Sequence, residues 1–553
     1  METAQQNREP HSPNWLEGPF PDLLLGAGGL YLLSVPFFWL ALHDAVASDW
    51  SFTPIWIIAI LIASPHYGAT LVRAYQQREE RRRYALFTVW GTLLVAAFFV
   101  AGSYLPAIGA LVVTVYFTWS PWHFAGQNYG ISMLFLRRSG VEVPKRAQRL
   151  LHTSFFLSFV LAFLALHVAG STSLQAPSRT ELYTDPTLLR LGIPTAVAGG
   201  LFVLSGAAYL LCLAGALVLL WRRSSMRVLV PVLSLVLCQA LWFSIPSLLD
   251  LTRAWSTRSL AFTAIWISGA HSIQYLWVTF HYAKRNAASA RVGAFWLNAT
   301  LAGNAAFVLP AIAFSPMLLG SATTSETGLT TLVFAVVNIH HFMLDGAIWK
   351  LRDGRVARAL LRDSGSDSPA APIGPTARWR RPSTVVWALC ALSVAIECGE
   401  LARHQAQQWG ADRVATAMFE ALSWAGREHP IQRIRFGRAL LDRGDYADAQ
   451  REFERSVHAQ PSVAGWGGLR LALEGQGNLD SAAAAYEAGL DVGPDDTALL
   501  RDAAAARYKL GEYGRAIALL RRALALEPDN PVNRQMMKRA RRALEQSNTQ
   551  DTS

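Results

Sequence analysis

The sequence predicts an all-α protein: a polytopic transmembrane helix bundle of about 10–11 spans, followed by an α-solenoid of repeated helix pairs. Three observations predict it. Long apolar segments recur through the first 400 or so residues, basic residues collect in alternate connections between them, and beyond about residue 415 one pattern of Gly, Ala and Pro returns at fixed spacing.

Of the 553 residues, 52% are hydrophobic and only 16% charged, where a soluble chain carries about 25% charged residues. The net charge of +11 is spread over short connections rather than gathered in one patch, so it reads as membrane topology and not as a nucleic-acid surface. Four cysteines, Cys212, Cys238, Cys390 and Cys398, fall in apolar segments without metal-ligand spacing and read as small packing residues.

A polar tail, 1–20, opens the chain. The apolar segment after it lacks a small-residue cleavage pattern and reads as a first spanning helix rather than a signal peptide. A span needs roughly 20 mostly apolar residues. Ten segments meet this within the membrane domain, 21–355: 22–46, 53–76, 84–103, 105–135, 151–170, 194–221, 228–249, 259–283, 294–317 and 328–351. A Ser/Pro/Ala/Gly-rich stretch marks 356–383 as a flexible cytoplasmic linker, and a shorter eleventh span comes next at 384–399.

Orientation comes from the connections. Those after every second span hold 23 Lys and Arg, from Arg78 to Arg381, against four on the other side, Arg179, Arg190, Arg253 and Arg258. The positive-inside rule then predicts a multi-pass inner-membrane protein with a cytoplasmic N-terminus. If the eleventh segment crosses, the C-terminal repeat region lies in the periplasm.

"GDYADAQREFERSVHAQP" begins at Gly444, "GNLDSAAAAYEAGLDVGP" at Gly477 and "GEYGRAIALLRRALALEP" at Gly511, spacings of 33 and 34 that Pro461, Pro494 and Pro528 repeat. Gly marks a tight turn, Ala449, Ala482 and Ala516 close helix contacts, and Pro the end of each second helix. Over 415–546 this resembles tetratricopeptide repeats, which implies a solenoid binding a protein or peptide partner on its concave face.

Four predicted spans carry polar motifs well inside the apolar layer: "SPHYGATLVRAY" with His66, "WSPWHFAGQNYG" with His123, "GAHSIQYLWVTFHY" with His271, and "NIHHFMLDGAIWK" with His340, His341 and Asp345. All four spans run the same way. At 1.5 Å per residue their histidines fall between mid-membrane and the cytoplasmic third, so they can meet in one layer. His341 and Asp345 are i,i+4, as suits an imidazole whose second nitrogen donates to a carboxylate. Gln127 shares a face with His123, Gln274 and Tyr275 share one with His271, and Arg73 lies on the stripe of His66. Pro65 and Pro121 should loosen the ladder beside two of the histidines. Trp349 and Lys350 read as interface anchors. His43, His152 and His167 lack polar neighbours and read as structural. Ionisable groups in hydrocarbon cost roughly 2.5–3.5 kcal/mol each on insertion scales, so a cluster on four helices points to use. Imidazoles with one carboxylate and no thiolate suit a transition metal, Fe before Zn, with haem as the competing cofactor.

In order, "PHYGA", "WHFAG", "AHSIQY" and "IHHFMLD" resemble the histidine motifs of the Brp/Blh-type β-carotene 15,15′-dioxygenases. Tyr67 is an insertion in the first motif, and Tyr275 stands at the second histidine of the third. The resemblance implies an iron-binding bundle with His66, His123, His271 and His340 or His341 as ligands. The first functional reading is thus a membrane-embedded, metal-dependent oxidoreductase acting on a lipid or isoprenoid, with the repeats recruiting a partner. Two further readings are a proton-coupled transporter relaying through His66, Arg73, His341 and Asp345, and a lipid-linked glycosyltransferase using Asp44 and Asp49. A fourth is an inert scaffold for the repeats.

Overall fold

The described residues of the computed structural model are 15–43, 57–75, 78–170, 188–251, 257–286, 292–315, 318–320, 328–349, 360–361, 384–425, 427, 430–494 and 496–550. Among them the secondary structure is helical, and one isolated bridge joins Val168 to Ile193. The chain divides into two units: Met1–Ile312 with Thr327–Leu422, and Ser423–Ser553 with Ala313–Glu326.

The first unit contains α1 (Gly29–His43), α2 (Ser64–Tyr75), α3 (Thr92–Tyr104), α4 (Pro106–Arg138), α5 (Lys145–His167), α6 (Thr195–Trp221), α7 (Met226–Gln239), α8 (Thr257–Asn286), α9 (Val292–Ala313), α10 (Leu329–Ile348) and α11 (Thr384–Gln408). In side chains too apolar to satisfy a backbone, the helix keeps every hydrogen bond internal. Seven described helices are long and apolar enough to cross a membrane: Leu86–Tyr104, Lys145–His167, Thr195–Trp221, Met226–Leu251, Gly293–Ala313, Leu329–Ile348 and Thr384–Ala406. The segments with the His66, His123 and His271 motifs are helical too, but their polar residues and, for α2, short length keep them from being that apolar or that long.

Three predicted elements differ in detail. The first span is broken, because Gly28 takes a left-handed φ of 79° between the π-helical turn Asp22–Gly26 and α1. The eleventh runs on to Gln408, past the predicted end at 399, because Arg403 Nε pairs with the buried Glu400 at 3.1 Å and both stay inside. Within the predicted linker Leu360 is buried beside Ile131 and Leu134, and its carbonyl accepts from Arg138 at 2.7 Å. Arg138 also holds the carbonyl of Trp15, so the polar tail is docked from Trp15 onward. Apart from Leu360 and Leu361 the linker lies outside the described residues, as do Asp44, Asp49 and Lys350.

Two features set α2 in place. The residues before it, Ala59–Ala63, wind as a π-helix leading into Pro65, and Asn304 of α9 donates to the carbonyl of Ile60 at 3.3 Å. At Pro121, by contrast, α4 runs through as one helix. The second feature is a close crossing. Ser64 and Gly68 on α2 face Ala299 and Gly303 on α9, two small-xxx-small pairs whose backbones touch. A Cβ on Gly68 would stand 1.8 Å from the Ala299 carbonyl oxygen, and one on Gly303 as near that of Ser64. On its other sides α2 packs against α8 and α10, and α10 against α4.

The second unit is a solenoid of α13 (Pro430–Arg443), α14 (Tyr446–Ala459), α15 (Val463–Gly475), α16 (Leu479–Val492), α17 (Thr497–Lys509), α18 (Tyr513–Leu526) and α19 (Pro531–Gln550) (a short helix, Asp412–Trp424, is α12). The turns inside the pairs open on Gly444, Gly477 and Gly511, with φ of 81°, 78° and 75°, which explains why Gly recurs there. Ala449, Ala482 and Ala516 are fully or almost fully buried. Phe453 lies against Gly437 and Gly468, where any side chain would collide with its ring.

Candidate metal centre

The four helices α2, α4, α8 and α10 bring His66, His123, His271 and His341 together. Ring centroids lie 4.2 Å apart for His66–His341, 5.0 Å for His66–His271, 5.0 Å for His271–His123 and 5.2 Å for His123–His341, closing a four-sided ring of imidazoles. The His271–His341 diagonal is 6.4 Å. Half of it, about 3.2 Å, is the separation a metal–nitrogen bond of roughly 2.1 Å leaves between an ion and an imidazole centroid.

The ring nitrogens are orphaned. His66 Nε2, His123 Nε2, His341 Nε2 and both nitrogens of His271 are buried without a hydrogen-bond partner. One buried polar atom left this way costs about 1–3 kcal/mol, and here five gather in one place where a metal ion could satisfy them. Two overlapping donor sets share His341: His66, His271 and His341, and His123, His341 and Asp345, with the atoms of each set within 4.8 Å of one another. That is somewhat wider than the roughly 3.4 Å between tetrahedral donors, so a modest contraction closes either set.

Asp345 reaches in from the side. Its Oδ2 stands 3.7 Å from His341 Nε2 and 3.9 Å from His123 Nε2, so it approaches the orphaned nitrogens themselves. The other nitrogen of His341 belongs to Thr70, whose Oγ1 lies 3.0 Å from Nδ1. One self-consistent assignment of protons links the neighbours. Trp349 Nε1 donates to the Tyr275 hydroxyl (2.9 Å), Tyr275 and His341 Nδ1 donate to Thr70 Oγ1, and Thr70 donates to Asp345 Oδ1 (3.4 Å). This leaves the lone pair of His341 Nε2 facing the cluster.

Other predicted residues support the frame. Gln127 donates to the backbone carbonyl of His271 at 3.1 Å and to Gln274 Oε1 at 3.0 Å, tying α4 to α8. Arg73 donates to the Ile348 carbonyl at 2.8 Å and lies 3.6 Å over the Trp349 ring and 4.2 Å over that of Tyr282. Trp349 is therefore also a wall of the site and holds Arg73 beside it. His340 is held apart from the four. Its Nδ1 pairs with the Tyr67 hydroxyl at 2.8 Å, and its Nε2 with Thr92 at 2.8 Å and Tyr75 at 3.2 Å, so neither nitrogen is open to an ion.

Two phenylalanines were missed, although the sequence holds a signal for them. Each comes directly after a cluster histidine: Phe124 stacks on His271 at 4.0 Å and Phe342 on His123 at 4.3 Å. The repeated His-Phe dipeptide thus supplies a nitrogen on one face and a flat wall for a neighbouring imidazole.

On the side of His123 and Asp345 the site opens into a cavity of about 940 Å³. The cavity runs beside α4 from Leu111 to Leu134, about 35 Å at 1.5 Å per residue. Its walls are mostly aromatic and aliphatic, among them Trp119, Trp122, Phe159 and Phe342. At one end His167, predicted as structural, pairs with Thr118 at 3.0 Å and accepts from the Leu191 amide at 3.3 Å.

A tetratricopeptide-repeat family model matches residues 434–469 and 469–531. The second unit is therefore built of tetratricopeptide repeats, a scaffold of protein–protein interaction. No curated protein matches the chain.

Proposed function

We propose that the first unit is an integral membrane, metal-dependent oxidoreductase acting on a lipid or isoprenoid, with iron as the ion. The observation that carries this reading is the ring of four buried imidazoles whose nitrogens face one another unpartnered. His66, His123, His271 and His341 would hold the ion, with Asp345 beside them. A redox-active ion there would supply dioxygen chemistry, and neutral nitrogen and carboxylate donors without thiolate suit iron. The close ring packing leaves no slot for a porphyrin between the histidines and favours a bare ion over haem.

The remaining residues position and exclude. Thr70, Tyr275 and Trp349 fix the orientation of His341, and Gln127 fixes the backbone of His271. Phe124 and Phe342 keep water from the rings. The long apolar cavity suits a lipid-soluble molecule lying along α4, and the order of the motifs, similar to that of the carotenoid dioxygenases, favours an extended isoprenoid. The charge bias of the connections places the N-terminus in the cytoplasm and, if Thr384–Ala406 crosses, the repeats in the periplasm.

Metal analysis of detergent-purified protein tests the reading. About one iron per chain is expected, lost in His271→Ala and His341→Ala and kept in His340→Gln. Folded wild-type protein free of metal would refute it, and proton-coupled flux in liposomes from such protein would favour the transporter instead.

A further inference from the structure

The two ends of the long cavity differ in what they offer a hydrogen bond. Towards Leu134 the walls are Gly130, Ile131, Val278 and Leu360, which present no polar side chain. Towards Leu111 they include Thr114, Thr118 and His167, crossed by the segment 189–193. That segment is strapped to α4 and α5. The Leu189 amide donates to Thr114 Oγ1 at 2.8 Å, the Leu191 amide to His167 Nδ1 at 3.3 Å, and the Ile193 amide to the His167 carbonyl at 3.0 Å. Leu189 and Leu191 line the cavity, whereas Arg190 between them does not and has Asp250 as a nearby counter-charge.

The direction of each proton at this end follows. An amide donating to Nδ1 leaves the proton of the neutral ring on Nε2, so His167 donates to Thr118 Oγ1 at 3.0 Å. Each threonine directs its single hydrogen to the helix's own backbone, Thr118 to the Thr114 carbonyl and Thr114 to that of Ala110, both at 2.7 Å. A hydroxyl oxygen has two lone pairs. His167 takes one on Thr118 and Leu189 one on Thr114, which leaves an acceptor on each threonine and a free hydrogen on neither. Such an end matches a ligand that donates and gives nothing to one that only accepts. Thr118 and Thr114 stand five and nine residues before His123, about 8 and 14 Å along α4 at 1.5 Å per residue. A group held there is an anchor out of reach of the histidines, while the chain behind it passes them.

We propose that the cavity takes a lipid alcohol in a single orientation, its hydroxyl donating to Thr118 or Thr114 and its hydrocarbon tail running past His123 towards Leu134. This rests on reading the cavity as the seat of a lipid-soluble substrate, and it specifies the end group and the direction of that substrate. Thr118 and Thr114 then set how far from the hydroxyl the chain meets the histidine cluster.

The test uses full-length protein in phosphatidylcholine nanodiscs on scintillation beads. Tritiated geranylgeraniol is the probe, and unlabelled geranylgeraniol, its methyl ether and geranylgeranoic acid are the competitors. The ether keeps the chain and loses only the donor, and it is expected to compete at least fivefold more weakly than the alcohol. Thr114→Val/Thr118→Val should bring the alcohol down to the level of the ether, whereas Thr114→Ser/Thr118→Ser keeps both acceptors and should retain the preference. A merely structural role would weaken alcohol and ether alike. Equal competition by alcohol and ether in wild-type protein, a comparison that needs no variant to fold, would refute the proposal. So would a preference that survives the double Val variant. Tightest binding of the acid, lost in Arg190→Gln, would overturn it in favour of an anionic headgroup. No saturable binding of the probe would overturn both this proposal and the lipid substrate. Iron content of the same samples reports separately on the metal and is expected to be unchanged in both double variants.

Discussion

Gly68→Ala is the smallest change that tests whether helix packing builds the proposed metal site. Gly68 lies two residues from His66, where α2 crosses α9. A Cβ there would stand 1.8 Å from the Ala299 carbonyl oxygen, 2.7 Å from its carbon and 2.8 Å from the Gly303 nitrogen. These are backbone atoms, so no rotamer relieves them. Real Cβ atoms essentially never come nearer than 3.0 Å, and the helices must part by about 1.2 Å, or about 1.6 Å for comfortable contact at 3.4 Å. Metal–ligand distances tolerate only about 0.2 Å. His66 therefore leaves coordination range while His123, His271 and His341 stay, and metal affinity should fall by at least the 10–100-fold that loss of a supporting contact costs. Overpacking should also lower stability by about 1–3 kcal/mol. Metal content by mass spectrometry and the thermal midpoint read the two effects separately. Gly206→Ala on α6, with open space at its Cβ, serves as the control. Wild-type metal content in Gly68→Ala would show that the crossing does not set the His66 position.

Other outcomes are expected from the same geometry. Thr70→Val removes the group paired with His341 Nδ1 and Tyr275 and should weaken metal binding by about 10–100-fold without unfolding the chain, read by chelator competition. His340→Phe takes from the Tyr67 hydroxyl its partner, while Tyr75 and Thr92 still pair with each other at 2.6 Å, and should lower stability by about 1–3 kcal/mol with metal content unchanged. A Cβ at Gly130 meets no atom within 4 Å, and Gly130 lines the cavity, so Gly130→Leu should retain metal while lowering uptake of a fluorescent lipid probe. Burial acts to raise the Glu17 carboxyl, but hydrogen bonds from Lys284 and His281 outweigh it and hold it below the ordinary 4.5. Its stabilising contribution is therefore full above 4.5 and lost as pH falls through the folded value, so Glu17→Gln should lower the thermal midpoint near neutral pH and not well below pH 4.5.

The fold was largely legible because its two signals are periodic. Apolar runs long enough to span, and Gly/Pro punctuation at 33 and 34 residues, place most helices to within a few positions. The site was legible to the level of the helix but not of the atom. A sequence can place His66, His123, His271 and His341 at one depth. It cannot tell which of two adjacent histidines turns inward, since that depends on hydroxyls from Tyr67, Tyr75 and Thr92 that capture His340. Nor could it tell that Thr70 would take the nitrogen of His341 assigned to Asp345. The crossing of Ser64 and Gly68 with Ala299 and Gly303 was written in the spacing of small residues, but such pairs are common and their partner is set only in three dimensions.

Polarity and burial go together at the two extremes of the bundle, though not in every helix: Gly293–Ala313, at mean hydropathy 1.3, is 33% buried, and Met226–Leu251, at 2.2, is 50% buried. Thr195–Trp221 has mean hydropathy 2.3 and is only 17% buried, with Val203, Leu204 and Leu211 largely exposed. Leu329–Ile348 has hydropathy 1.4 and is 67% buried. In α2, the helix of His66, nine of twelve residues are buried. A side chain facing lipid must be apolar, whereas one facing other helices may be polar if it finds a partner. In α2 and α10 the polar residues lie in the interior, and the same polarity that lowers their hydropathy brings His66 and His341 together. The same logic extends to the orphaned nitrogens. Tyr67, Thr70, Tyr275 and Trp349 satisfy several neighbouring polar atoms, while Gln274 Nε2 and Arg73 Nη1 stay unpaired as the imidazoles do. What sets the imidazoles apart is that their unpaired nitrogens gather in two overlapping sets, each within 4.8 Å, as the unpaired atoms of Gln274 and Arg73 do not.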